Sequence, residues 1–335
     1  MKSFEKCSHR SARATITGLT VLVIICLAGS FAVAQIGEGP TLAQYSVISV
    51  GSTAAINVNS GPILGTVLVG GGTTVTSAGG GNGQITGGVD NSGAGSGCGA
   101  TGLTCFSSLN TPPVVRLVSS SVGADAFTEA AALSAQASAL GLNPTQTFGN
   151  ITGTQTITGN GGLNVINITG EKNAKLTISG GPNDIFVFNV SGSIATNQPI
   201  TLQGITAGQI LWNLTGTGTV LQTSGGNSLV GTFLATKPGQ DFQFSSLNLN
   251  GQLINTGGKI QWVSNSRMLA FTPFLRETQE VIPEPSSLLL FGTGLVAGVG
   301  VLRRKATGLR QCAVRVLGVE PIQIQQFAPS SNRSA

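Results

Sequence analysis

The sequence predicts an all-β protein: a solenoid of short stacked strands flanked by one α-helix. Two observations carry the solenoid. Strand-like pieces rich in Val, Ile, Leu and Thr recur about every ten residues and end in glycine. They are short, with Asn, Thr and Ser near their ends and no long loops between them, which suits coils stacked through parallel strands with polar corners better than a sandwich. A third observation gives the helix: one Ala-rich stretch interrupts the strand rhythm.

The chain opens with Lys2, Lys6, Arg10 and Arg13, followed by an apolar run from Ile16 to Gly29. Ala32, Val33 and Ala34 then offer the small-x-small pattern of a signal peptidase, so residues 1–34 read as a signal peptide cut between Ala34 and Gln35. The apolar run is short for a retained span, and Ile25 is too bulky for lipoprotein processing at Cys26. Export is the expectation.

Residues 35–282 form the expected body. From Tyr45 to Val89 it reads "YSVISV", "AAINV", "ILGTVLV", "TTVTS" and "QITGGV", β-branched pieces broken at Gly and Ser. "SAGGGNGQITGGVDNSGAGSGCG" reads as a loop without core residues. Next comes the helix, expected over about 124–140, with Ala126, Ala130, Leu133, Ala137 and Leu140 on one face. Asp125 and Glu129 are placed near its positive end, with Gly141 and Pro144 as its stop. From Thr145 the strand rhythm returns, through "LNVINITG", "DIFVFNVSG", "QILWNLTG", "FQFSSLNLNG" and "KIQWVS".

The formal net charge of +5 belongs to the two ends of the chain. Within 35–282 the bases are Arg116, Lys172, Lys175, Lys237, Lys259, Arg267 and Arg276. The acids are Glu38, Asp90, Asp125, Glu129, Glu171, Asp184, Asp241, Glu277 and Glu280. That slightly acidic balance gives no support to nucleic acid as a partner. The single histidine, His9, lies in the signal peptide, so the body has no His base, Ser-His-Asp triad or His metal ligand. Asp184 in "GGPNDIF" and Asp241 in "KPGQDF" read as turn residues rather than a glycosidase pair. The expectation is a non-enzyme without cofactor or metal. Cys98 and Cys105 are a candidate disulfide in an oxidising compartment, against the alternative of two free thiols. The sequon-like triplets at Asn150, Asn167, Asn189 and Asn213 read as strand-edge asparagines, and Trp212 and Trp262 as packing residues.

Toward the C-terminus, Pro283, Glu284 and Pro285 precede an uncharged Gly-rich run from Leu288 to Leu302 and the cations Arg303, Arg304 and Lys305. The run is a short, marginal transmembrane helix candidate, falling short of a ~30 Å hydrocarbon core, with the cations as its cytoplasmic stop. The whole segment, 283–305, resembles the PEP-CTERM sorting signal. The resemblance implies an exosortase-type enzyme as partner beside signal peptidase. It also implies transient anchoring in the inner membrane of a Gram-negative bacterium, then release to the outer surface or beyond. Residues 306–335 follow as a tail without an assigned role.

The body is itself similar to the ice-binding-like domains of bacteria and fungi over roughly 45–263. The pieces that carry this are "GPILGTVLVGGGTTVTS", the Ala-rich helix, "LTISGGPNDIFVFNVSGSIAT" and "SLVGTFLA". "ILWNL" is in addition similar to the choice-of-anchor A domain. The resemblance implies a right-handed, triangular parallel β-solenoid with a helix along one side. Ice is then one candidate ligand, and the candidate face residues are Thr152, Thr154, Thr156, Thr158, Thr215, Thr217 and Thr219, which skip alternate positions. Solvent-facing strand threonines would look the same. The leading expectation is a non-catalytic surface or extracellular-matrix protein of the biofilm or adhesion type, with exopolysaccharide and ice as candidate partners. Ice binding is the first alternative, and a polysaccharide-active enzyme the second.

Overall fold

A computed structural model describes residues 36–274 except 71, 78–82 and 94–95. The signal peptide with Ala32, Ala34 and Gln35 lies outside the described residues. So do the transmembrane candidate, Pro283, Glu284, Pro285, Arg303, Arg304, Lys305 and the tail. No helix among the described residues is long and apolar enough to cross a membrane.

Each coil of the body has three sides. The first coil contains β1 (Val47–Val50), β2 (Ala55–Val58) and β3 (Pro62–Ile63), and the second β4 (Val67–Gly70), β5 (Thr74–Thr76) and β6 (Gln84–Ile85). β7 (Val89–Asn91) and β8 (Val115–Leu117) close this end. The chain then runs along the outside as helix α1 (Ser120–Leu140) and starts again with β9 (Gln146–Phe148) and β10 (Gln155–Thr158). Successive coils add β11 (Leu163–Ile168) and β12 (Leu176–Ser179), then β13 (Ile185–Val190), β14 (Ile194–Thr196) and β15 (Ile200–Gln203). β16 (Ile210–Leu214), β17 (Thr219–Thr223), β18 (Ser228–Ala235) and β19 (Asp241–Ser245) follow. β20 (Asn248–Asn255), β21 (Lys259–Val263) and β22 (Arg267–Phe271) complete the climb.

Every strand pairing among the described residues is parallel. The largest sheet runs β8-β7-β4-β1-β20-β18-β16-β13-β11-β9, so the last coils of the climb dock on the first coil of the chain. The second side carries β14-β17-β19-β21-β2-β5. The third side is made of β10-β12-β15, the first halves of β18 and β20 with β22, and β3-β6. β18 and β20 turn from the third side to the first without breaking. They do so at Gly231 and Gly251, where φ is +104° and +150°. A Cβ on Gly251 would meet the Gly231 carbonyl oxygen at 2.0 Å, so the stacked corner admits only glycine.

Two cores result. Inside the coils, alternate residues stack in ladders; Phe188, Trp212 and Phe233 are in register and stacked, with ring centroids 4.0 and 5.8 Å apart. Trp262 packs edge-on to Phe244. Each such fully buried side chain contributes roughly 1.5–3 kcal/mol. Outside the first side, Ile48, Leu68, Val187, Leu211, Leu234 and Ile254 meet Ala126, Ala130, Leu133 and Ala137 of α1. Small helix residues let the helix lie close to the sheet, as their spacing suggested.

Two local expectations change. The helix starts at Ser120, capped by Ser119, whose hydroxyl accepts from the Ser121 amide. The first turn is therefore without acids, and Glu129 serves elsewhere. The Gly-rich stretch is not free of core residues: Ile85, Val89 and Cys98 in it are buried, and a disulfide joins Cys98 to Cys105. With the buried Asp90, Asn91 and Ser92 they hold the described part of that stretch on the end of the stack.

Candidate functional site

The first side is taken. Asn167, Asn189 and Asn213 lie in register on β11, β13 and β16 and dock the helix. Asn213 donates to the Asn189 Oδ1 at 2.7 Å, the Ser138 hydroxyl at 3.0 Å and the Ser134 carbonyl at 3.3 Å, and accepts from the Ser134 hydroxyl at 2.7 Å. Asn189 donates to the Ala137 carbonyl and Asn167 to the Gly141 carbonyl. These are three of the four sequon-like asparagines; their recurrence is a helix-docking ladder.

An N-terminal strap also crosses this side. Glu129 accepts from the amides of Thr41 and Leu42, both at 3.0 Å, and from the Thr41 hydroxyl at 2.9 Å. Glu38 accepts from the Phe274 amide and the Thr232 hydroxyl, so both ends of the described body meet at one carboxyl group. Burial pushes that carboxyl up to about 8, against the lowering effect of those hydrogen bonds.

No helix among the described residues packs on the second side, and its outward positions form a row. Ala195, Gln222, Gln243, Gln261, Asn57 and Thr76 are successive register partners across all six strands. Their neighbours Leu221, Phe242, Phe244, Ile260, Trp262, Ile56 and Val75 point inward and are buried. Gln243 donates to the Thr219 hydroxyl, while the side chains of Gln222, Gln261 and Asn57 have no hydrogen-bond partner among the described residues. This is a row of amide groups; the glutamines have donors and an acceptor to offer, whereas the Asn57 Oδ1 is buried.

The third side carries a shorter row. Thr156, Thr177 and Thr201 are in register, with the last two hydroxyls 3.1 Å apart, and Thr158, Ser179 and Gln203 form the adjacent row. Thr152, Thr154, Thr156 and Thr158 thus sit on the end coil, where only the last two lie on a strand. Thr215 and Thr217 occupy a corner three coils away, and Thr219 begins β17 on the second side. The seven threonines do not converge on one surface.

The two body acids weighed for catalysis are structural. Asp184 is buried and accepts from the amides of Gly181, Gly161 and Gly162 and from the Asn164 amide group. Those donors, Gly181 foremost, hold its carboxyl below the usual range. Asp241 accepts from the Lys259 amide on the neighbouring coil. No group of three or more His, Cys, Asp or Glu side chains could hold a metal among the described residues.

The fold is a parallel β-solenoid whose first side is covered by a helix, with no helix on the other two sides among the described residues. Residues 29–257 match the ice-binding-like adhesive domain, and the chain belongs to that family. Residues 281–305 match the PEP-CTERM protein-sorting motif, the mark of an exported protein. Among solved structures, the chain is similar to an ice-binding protein from the Antarctic ascomycete Antarctomyces psychrotrophicus. That match has 13% identity and a TM-score of 0.47, and covers 72% of this chain and 100% of that one. An antifreeze ice-binding protein from an Arctic yeast matches with 14% identity and a TM-score of 0.48, covering 72% and 96%. A Shewanella frigidimarina ice-binding protein domain matches with 11% identity and a TM-score of 0.43, covering 72% and 99%. No curated protein matches the chain.

Proposed function

We propose that this exported protein is a non-catalytic adhesive component of the cell surface or extracellular matrix, and that its second side binds a hydroxyl-rich polymer. The amide row Gln222–Gln243–Gln261–Asn57 carries the reading. Amides one strand apart, about 4.8 Å, present alternating donors and acceptors to a chain of sugar hydroxyls laid across the strands. The same long side chains, with Asp241 and Lys259 beside them, make a poor template for an ice lattice, which calls for short groups on a flat surface. On this reading signal peptidase and an exosortase-type enzyme act on the two ends, and the inner membrane holds the chain only in transit.

Co-sedimentation of the purified secreted protein with insoluble polysaccharide particles tests this. A Gln243→Ala/Gln261→Ala variant loses about thirtyfold in affinity if each amide contributes roughly 1 kcal/mol. Unchanged binding by that variant removes the second side from the account.

Ice binding is the second reading, favoured by the row Thr156–Thr177–Thr201 on the third side and by the family. Ice-recrystallisation inhibition that disappears in Thr177→Tyr/Thr201→Tyr, with the fold intact, would put it first.

A further inference from the structure

A groove runs along the corner between the second and third sides, where four coils turn in succession. It encloses about 490 Å³ and is lined by Arg267, Asn248, Ser246, Asn265 and the turns at Gly61 and Gly226. The lining mixes these polar side chains with apolar surface of Pro62 and the glycine turns, and none of it comes from an acidic residue. Arg267 is exposed and fixed at one point: its Nε donates to the Asn248 Oδ1 at 2.6 Å. The only ion pair among the described residues joins Arg116 to Asp90, so no carboxylate among the described residues pairs with the Arg267 guanidinium. Its two terminal nitrogens remain as a planar fork of donors, held in direction by the bond at Nε.

The walls of the groove are equally specified. Ser246, Ser264 and Asn265 hold φ of +59°, +52° and +62°, three of the four non-glycine residues with positive φ among the described residues. They are kept there by neighbouring coils: Ser246 donates through both its amide and its hydroxyl to the Ser264 carbonyl, and the Asn265 amide donates to the Ser60 hydroxyl. Left-handed backbone at non-glycine positions is strained, and here it is concentrated at and beside one groove.

We infer that this groove binds an acidic saccharide, with Arg267 taking a uronate carboxylate in a two-pronged hydrogen bond and Asn248, Ser246 and Asn265 taking sugar hydroxyls. A guanidinium fork matches a carboxylate in geometry as well as charge. The amide and hydroxyl lining suits a sugar better than an apolar peptide, and the open groove along four coils admits a linear polymer. The inference deepens the adhesive reading by naming the polymer's charge, and it rests on that reading only for the protein's place outside the cell. It uses a corner separate from the amide row.

The test is titration of the purified secreted protein with hexameric oligogalacturonate, a neutral galactose oligomer and a tri-glutamate peptide. The expected result is binding of the oligogalacturonate alone, weakened by salt. Arg267→Ala should lose at least tenfold in affinity, Arg267→Lys should recover only part of it, and Gln243→Ala/Gln261→Ala should bind as the native protein does. Arg267 is exposed, so the variants retain the fold, which circular dichroism checks. Failure of the native protein to bind at millimolar oligogalacturonate overturns the inference. So do equal binding of the neutral oligomer or the peptide, and an Arg267→Ala variant with unchanged affinity. Loss of particle binding in the double glutamine variant with oligogalacturonate binding absent would leave the amide-row reading standing alone; the reverse would leave the groove.

Discussion

Replacing Asn213 by Leu keeps the volume of the side chain and removes the centre of the asparagine ladder. Asn213 is fully buried and makes four hydrogen bonds, three of them to α1 and one to Asn189. At about 1 kcal/mol net per bond the sum would be about 4 kcal/mol. Ser138 is exposed and regains water, and the new methyl groups gain some burial, so the expected loss is about 2–3 kcal/mol. In a domain of this size that lowers Tm by roughly 5–10 °C. Hydrogen exchange supplies the specific readout: the amides of Ser134 to Leu140 should exchange faster while the β18–β20 ladder does not change. Asn167→Leu is the internal control. Its side chain makes one hydrogen bond, to the Gly141 carbonyl, and its Oδ1 has no partner, so its loss should be about 1 kcal/mol or less. A stable Asn213→Leu protein, or a larger cost at Asn167 than at Asn213, would refute the docking role of the ladder.

Three further outcomes follow from the buried charges and the glycine corner. Glu38, whose carboxyl is raised to about 8, binds its proton more tightly in the folded state. Stability should therefore fall as pH rises from about 4.5 to about 8, by up to about 1.4 kcal/mol per pH unit, and Glu38→Gln should flatten that slope in urea titrations. Lys172 is wholly buried against the Thr196 hydroxyl and the Gln198 carbonyl, and burial lowers its amine to about 8. Its penalty, about 3 kcal/mol, is present below pH 8 and relieved as pH rises toward 10.5, so Lys172→Met should stabilise the protein at neutral pH by thermal unfolding. Gly251→Ala puts a Cβ against the Gly231 carbonyl and should cost more than about 2 kcal/mol, measured by urea unfolding of the secreted protein.

What could be read in the sequence was whatever lies within one element. The buried stripe Ala126, Ala130, Leu133 and Ala137 is visible because a helix repeats within the stripe itself. The strand pieces "TVLQTSG", "FQFSS", "KIQWVS" and "AAINV" are visible for the same reason. Which residues stack was not visible, because the coils differ in length: Thr232 pairs with Gln252, twenty positions on, but Phe188 with Trp212, twenty-four on. A variable period hides the alignment that puts Gln222, Gln243, Gln261 and Asn57 in one row. Aligning the inward apolar residues of those four pieces would have found it. The threonines chosen by spacing along a strand missed Thr177 and Thr201, which join Thr156 only across strands. Arg267 gave no signal at all, since its meaning depends on a groove built by four separate corners.

The central claim, that the second side is the working surface, is tested most directly by side-chain footprinting with hydroxyl radicals on the polymer-bound secreted protein. The account predicts protection on 219–223, 241–245, 259–263 and 55–58, with α1 and the third-side row Thr156–Thr177–Thr201 labelled as in the free protein. Protection confined to the third side or to the helix, with β17, β19, β21 and β2 labelled as before, would contradict it.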